Sequence, residues 1–293
     1  MERLARLSGA ARQLGRWLRR PPLRFFARPF EPFNWSAVDA SPAAVERDAR
    51  YALQVAQDYL AKLAVPVRGR ALLELGPGIS LGTAAVMACQ GARVALADPF
   101  PPRWQAGYHP RVYGEMLRLR PDLLPDRAPL ERLIAGDFAG VFQAHAVGAE
   151  SLQALPAAAF DLIVSNAVFE HVGDVPAAAL ELRRISRPGA VGVHGIDLRD
   201  HRDFTRPLEL LTLDSVSFAR LFRDVAGECG NRLRVSEHVE AFRRAGFGVE
   251  VLWEDRQVDE AYFQDVAARL HPNFWGFEPD ELRVLGVSLR LSS

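Results

Sequence analysis

The sequence predicts an α/β domain built on a seven-stranded, mostly parallel sheet with helices on both faces. Three observations predict it. From Arg70 to Leu291, short apolar runs alternate with helix-length stretches, the signature of strand–helix–strand units. The first run, Ala71–Leu75, breaks into a turn holding Gly76 and Gly78 and then into a small-residue helix. Finally, 49% of the 293 residues are hydrophobic and 25% charged, an ordinary globular balance with ample material for a core.

Taken in order, a helix comes first. Ser41 can cap free backbone N–H groups and Pro42 fits a first helical turn; Val45, Leu53, Ala56, Leu60 and Leu63 supply the apolar stripe to about Ala64. Strands are expected over Ala71–Leu75, Arg93–Ala97, Leu133–Ala135, Phe160–Ser165, Ala190–Ile196, Gly248–Glu254 and Arg283–Leu291. Helices are expected over Thr83–Gln90, Val175–Ser186, Phe218–Glu228 and Ser236–Ala245. A Pro- and Arg-rich excursion, Pro99 to Pro129, separates the second and third strands, and extra material from Arg199 to Glu237 separates the fifth and sixth. Residues 1–40 read as a basic arm and Pro-rich linker, and 41–293 as the domain proper.

Several classes are excluded. The 36 basic and 36 acidic side chains cancel, so there is no broad basic face for nucleic acid. Cys89 and Cys229 lie 140 positions apart with no CxxC pairing, which gives no zinc ribbon and fits a reducing, cytoplasmic setting. The longest uncharged stretch, Leu75–Ala92, contains Gly76, Pro77, Gly78, Gly82 and Gly91 and reads as a turn and a buried helix, not a span.

The arm keeps three readings. Eight arginines from Arg3 to Arg28 face only Glu2, and Leu4, Leu7, Leu14, Trp17 and Leu18 recur near helical spacing up to Pro21-Pro22. Residues 1–20 are either an interfacial helix resting on anionic lipid or a solvated arm. A mitochondrial transit peptide is a third reading, which the lack of serine and threonine weakens.

The chemistry starts at Glu74-Leu75-Gly76-Pro77-Gly78-Ile79-Ser80. A ligand of an open α/β sheet lies beyond the carboxyl ends of the strands, where glycine admits a close approach and the next helix presents free N–H groups. Asp98 ends the second strand 24 residues after Glu74, about where an acid accepts hydrogen bonds from the hydroxyls of a ribose. The next glycine is Gly82, giving GxGxxxG where a dinucleotide site has GxGxxG.

That pattern, with an acid two residues before the first glycine, resembles motif I of the class I S-adenosylmethionine-dependent methyltransferases. Gly136-Asp137-Phe138, the segment Phe160-Asp161-Leu162-Ile163-Val164-Ser165-Asn166-Ala167-Val168-Phe169-Glu170-His171-Val172, and Leu182 to Ala190 are similar to the family's later motifs, in order. The resemblance covers about Val45 to Ile196 and implies a Rossmann-like fold, an S-adenosylmethionine cofactor and an enzyme. By it, Glu74 positions the cofactor's amino acid end, Gly76 and Gly78 floor it, and Asp98 binds ribose. Asp137 with Phe138 holds adenine, and Asn166 lies near the sulfonium. One departure is Gly189-Ala190, where the family has two glycines.

Methyl transfer needs alignment and, for a hydroxyl acceptor, removal of a proton. His171, His194 and His201 are the candidate bases past strand ends. Asp197, expected to end the fifth strand facing the pocket, can back His201 four residues on. Alternatively these groups cap a loop and pair with Arg199 or Arg202. A metal reading of Asp197, His201 and His194 has only spacing behind it, and no metal is assigned. Arg232 and Arg234 read as a clamp for an anionic acceptor or as surface charges, within an acceptor lid over Arg199–Glu237. His271 to Phe277 is a second pocket wall or plain core. The expected function is O-methylation of a small molecule, a sugar or lipid-linked intermediate. N- or C-methylation of a quinone-like metabolite and a non-catalytic cofactor-binding scaffold are the alternatives.

Overall fold

The computed structural model describes residues 38–223 and 230–293. The basic arm therefore lies outside the described residues, as does the end of the helix expected over Phe218–Glu228.

Local sequence rules set the first helix. In α1 (Pro42–Leu63) the Ser41 hydroxyl accepts a hydrogen bond from the Ala44 amide at 3.3 Å, satisfying a donor that the first turn leaves open. Its buried face, Val45, Ala49, Ala52, Leu53, Ala56, Tyr59 and Leu63, follows the helical period. β1 (Ala71–Leu75), β2 (Arg93–Ala97), β4 (Phe160–Asn166) and β5 (Ser186–Asp197) carry the apolar runs. Helices α2 (Gly82–Cys89), α5 (Val175–Ile185) and α7 (Val235–Arg244) fall close to their expected ranges, as do β6 (Gly248–Asp255) and β7 (Gly286–Ser292).

With β3 at Phe142–His145, the sheet order is β3-β2-β1-β4-β5-β7-β6, parallel through β5, with β7 inserted antiparallel between β5 and β6. One face is covered by α1, α2 and α3 (His109–Leu119), through Leu53, Tyr59, Met87, Tyr113 and Met116. The other packs under α5 and α7, through Phe169, Leu182, Phe242 and Leu289. A third, smaller core joins the insertion after β5, with α6 (Ser215–Arg223), to the segment between β6 and β7 through Leu211, Phe218, Phe263 and Phe274. There Phe274 packs as core, while Trp275 is exposed.

Two expectations need correction. Leu133–Ala135 is not the third strand: Leu130 and Leu133, three apart, are the buried face of α4 (Ala128–Ile134). The strand is β3, Phe142–His145, a four-residue edge strand that buries only Phe142 and so lacks an apolar run. The excursion before it is ordered, with α3 packed on α1. β5 also starts four residues early. Phe160 pairs with Ser186 but Leu162 pairs with Val191, so the extra residues bulge out through Gly189 at φ +77°. Ala190 has no positive φ, which is why one glycine suffices there. No helix among the described residues is long and apolar enough to cross a membrane.

Candidate active site

β1 delivers Glu74 to the carboxyl edge of the sheet and then turns sharply. Gly76 sits at φ +58°, where a Cβ would stand 2.5 Å from Val168 Cγ2, and Gly78 at φ +66°, where a Cβ would meet nothing within 4 Å. The turn thus needs both glycines for its backbone, and at Gly78 it leaves an open floor. Glu74 is 2% exposed; Thr83 faces its carboxyl, but Oε2 has no hydrogen-bond partner among the described residues. Burial pushes its pKa up to about 8. An orphaned buried carboxyl oxygen above an open glycine floor fits the ammonium of an amino acid moiety, the role the resemblance gives Glu74.

Asp98 follows β2 directly. Its Oδ1 accepts from the Phe100 amide at 2.7 Å, and burial raises its pKa. It lines a cavity of about 320 Å³ with Pro77, Leu81, Phe138 and His145. Phe138 is therefore brought to the same cavity, edge-on to Trp104 at 5.1 Å between centroids. Asp137 is not. It precedes β3 instead of following it, forms an ion pair with Arg132 at 2.6 Å and accepts from the Gly140 amide at 3.0 Å. The adenine role expected of Asp137 is corrected, because the misplaced strand put it at the wrong end of β3.

At the next strand ends the site becomes acidic. Asn166, the last residue of β4, donates from Nδ2 to the hydroxyl of Tyr51 on α1 at 2.8 Å. Tyr51 is 57% exposed on a helix that buries Val45, Leu53, Val55, Tyr59 and Leu63. Its hydroxyl titrates above the ordinary range, through burial and then through the charges of Glu170, Glu74 and Asp197. Three carboxyls thus act on one hydroxyl. Neither Tyr51 nor Glu170 stands out in the sequence; an exposed aromatic breaking the α1 stripe is the one signal for the former.

Asp197 ends β5 as expected. Burial alone would raise its pKa, but Arg199, 2.6 Å from Oδ2, and His201 hold it well below the carboxylate range. His201 Nε2 stands 3.5 Å from the same oxygen, the two meeting through a turn, not a helix. His201 also meets His171 edge-on, with ring centroids 5.2 Å apart, and the Arg199 guanidinium lies 4.6 Å above the Phe204 ring. Glu170, His171, Asp197, His201 and Asn231 line a small cavity of about 20 Å³, the room of one water.

His194 is a correction. It lies within β5, opposite Ser165 and Leu289, fully buried, and not past the strand end. Its Nδ1 is 2.8 Å from Ser165 Oγ, and its ring stacks on Phe242 and meets Phe169 edge-on. Burial takes its pKa down to about 3, so it is a neutral core histidine and neither base nor ligand. The arginine clamp is corrected too. Arg232 donates to the carbonyls of Leu210 and Leu213, and buried Arg234 to those of Leu198, Glu281, Leu282 and Val284. Both are committed to holding the insertion together. Asn231 does the same at the site itself: its amide donates to the Glu170 carbonyl, and its Nδ2 to the carbonyls of Phe169 at 2.6 Å and Val172 at 2.9 Å.

Comparison with known proteins supports this assignment. A family described as "Methyltransferase domain" matches residues 27–251, most of the chain. No curated protein matches it. Among solved structures the chain is similar to an S-adenosylmethionine-dependent methyltransferase from Mesorhizobium loti (16% identity, 80% of this chain and 96% of that one, TM-score 0.48). It is similar also to the YcgJ protein of Bacillus subtilis (12%, 83% and 98%, TM-score 0.47). A third is phosphoethanolamine N-methyltransferase 2 of Haemonchus contortus, solved with phosphomonomethylethanolamine and S-adenosylhomocysteine (15%, 82% and 52%, TM-score 0.49). With the family matched over most of its length and the glycine floor, Glu74 and Asp98 in place at the strand ends, the chain belongs to the methyltransferase-domain family and is an enzyme that uses S-adenosylmethionine.

Proposed function

We propose that the chain methylates a hydroxyl oxygen of a small acceptor, a sugar or lipid-linked intermediate, with Asp197 and His201 removing the hydroxyl proton. The observation that carries this reading is the 3.5 Å approach of His201 Nε2 to Asp197 Oδ2 at the carboxyl end of β5, inside the cavity shared with Glu170 and His171. The bound cofactor supplies an electrophilic methyl group on a sulfonium. A hydroxyl oxygen becomes a good nucleophile only as it loses its proton, so a base at its side contributes about 10²–10⁴-fold. Asp197, kept ionised by Arg199, stabilises the imidazolium that forms when His201 takes that proton. The insertion after β5 walls the cavity through Leu210 and Gly230–Leu233, and Asn231 fixes the loop carrying Glu170 and His171. Residues 1–20 would bring the enzyme to anionic lipid, which suits a lipid-linked acceptor.

The test is a panel of sugar, lipid-linked and phenolic hydroxyl acceptors together with amines, read by S-adenosylhomocysteine release. His201→Asn and Asp197→Asn should lower turnover of the accepted hydroxyl compound at least 100-fold while cofactor binding by calorimetry stays within about threefold. Turnover confined to amines, or full activity in His201→Asn, refutes the reading.

A further inference from the structure

Glu170 is not used by the reading above, and its surroundings are unusual. It is 5% exposed, and neither carboxyl oxygen reaches hydrogen-bond geometry with any described group; its own amide and that of Asp197 are the donors that lie near. The groups that face it come from each element around it: Tyr51 on α1, Asp197 and Arg199 at the end of β5, His201 beyond them, and Arg232 from the insertion. Arg199 is paired with Asp197, and Arg232 is held on carbonyl oxygens, so among the described residues Glu170 makes no ion pair, although the charges of Arg199 and His201 act on it from a distance. It shares the field at the Tyr51 hydroxyl with Glu74, and Tyr51 is bonded to Asn166 at the end of β4. A buried carboxyl without an ion pair, close enough to share its field with Glu74 at Tyr51 and through it with Asn166, the residues that the resemblance sets at the methionine end of the cofactor, is suited to receive positive charge.

We propose that Glu170 distinguishes S-adenosylmethionine from its product: it keeps a proton in the cofactor-free chain, gives it up to solvent when the sulfonium binds, and so favours the charged cofactor over neutral-sulfur S-adenosylhomocysteine. The inference rests on the cofactor assignment and is independent of which acceptor is methylated. Burial, with Asp197 adding to it, raises the Glu170 pKa to about 8, consistent with a proton held near neutrality. By linkage, the ligand that drives ionisation is the ligand that the ionised group prefers. At an effective dielectric of about 20, one charge within about 6 Å of another shifts an equilibrium about a hundredfold, of which about tenfold remains at pH 7 once the cost of removing the Glu170 proton is met. Glu74 makes the comparison internal. Both ligands carry the same amino acid ammonium, so the Glu74 proton leaves with either, and only the Glu170 proton depends on the sulfonium.

The experiment is isothermal titration of the full-length protein with S-adenosylmethionine and with S-adenosylhomocysteine at pH 7, in two buffers of different ionisation enthalpy, on wild type and Glu170→Gln. Wild type should release most of one additional proton with S-adenosylmethionine. The variant should lose that excess, and its preference for S-adenosylmethionine over S-adenosylhomocysteine should fall about tenfold. Equal proton counts for the two ligands in wild type, a measurement that needs no variant, overturn the proposal while leaving the cofactor assignment intact. An excess that persists in Glu170→Gln also overturns it. Absence of binding by both ligands defeats the cofactor assignment and this inference with it.

Discussion

Replacing Glu74 by glutamine should stabilise the cofactor-free protein at alkaline pH and leave it unchanged in acid. The neutral carboxyl tolerates its burial and the charged one does not. In the unfolded chain the group titrates near its ordinary 4.5, and in the fold near 8. Between those values the folded state binds more protons, so stability falls as pH rises through this window and is fully present below it. The gap of about 3.5 in pKa, at about 1.4 kcal/mol each, corresponds to about 5 kcal/mol lost by pH 8. Glutamine keeps the size and has no charge to bury. Urea midpoints of wild type and Glu74→Gln at pH 5, 6.5 and 8.5 should coincide up to a constant offset at the first pH and diverge by several kcal/mol at the last. Glu170 adds a parallel loss, so the variant should keep about half of the wild-type pH dependence. Saturating S-adenosylmethionine should flatten the wild-type curve, because a bound ammonium makes the charged form of Glu74 the favoured one. A stability difference between the two proteins that does not change with pH would refute the reasoning.

Other perturbations separate the parts of the site. Asp98→Ala should weaken S-adenosylmethionine binding 10–100-fold by calorimetry, since hydrogen bonds to a carboxylate contribute about 1.5–3 kcal/mol, whereas Asp137→Ala should leave affinity unchanged. Gly76→Ala forces a Cβ to within 2.5 Å of Val168 Cγ2 at a positive φ, so it should cost about 2 kcal/mol in chemical denaturation, part of it recovered in a Gly76→Ala/Val168→Ala pair. Arg234→Met strips the donor from carbonyls of Leu198, Glu281, Leu282 and Val284; a cost of about 3 kcal/mol, or about 9 °C in Tm, is expected by thermal melting.

Most of the fold is legible in the sequence because its central strands are buried on both faces and read as unbroken apolar runs. β1 and β2 match their expected ranges, and Ser41-Pro42 marks the start of α1. The signal fails at the sheet edge. β3 needs one buried side chain, Phe142, and has no run to display, whereas the Leu130–Leu133 pair of α4 mimics one. That single misplacement carried Asp137 into the cofactor site. Among the candidate site residues, Glu74, Gly76, Gly78 and Asp98 are tied to strand ends, and those positions are read directly. His194 falls inside the expected strand, Ala190–Ile196, as it does inside β5, and a histidine within a strand covered on both faces packs in the core instead of reaching the site. Glu170 and Tyr51 become visible only when α1, β4 and β5 converge, since their importance lies in what stands opposite them. Arg232 and Arg234 look alike in sequence to ligand clamps; only the carbonyls around them reveal that they are braces.

Asn231 has a bearing on how such an enzyme changes its acceptor. By bonding to the backbone of Phe169, Glu170 and Val172, it makes the wall contributed by the insertion and the loop after β4 a single part. A graft that exchanged the insertion for that of a related enzyme would leave the carbonyls of Phe169 and Val172 uncapped beside the proposed proton-handling residues unless it brought an equivalent side chain. Divergence in acceptor choice is thereby channelled towards replacements of individual wall residues such as Leu210 and Leu233, which can vary while the Asn231 anchor is retained.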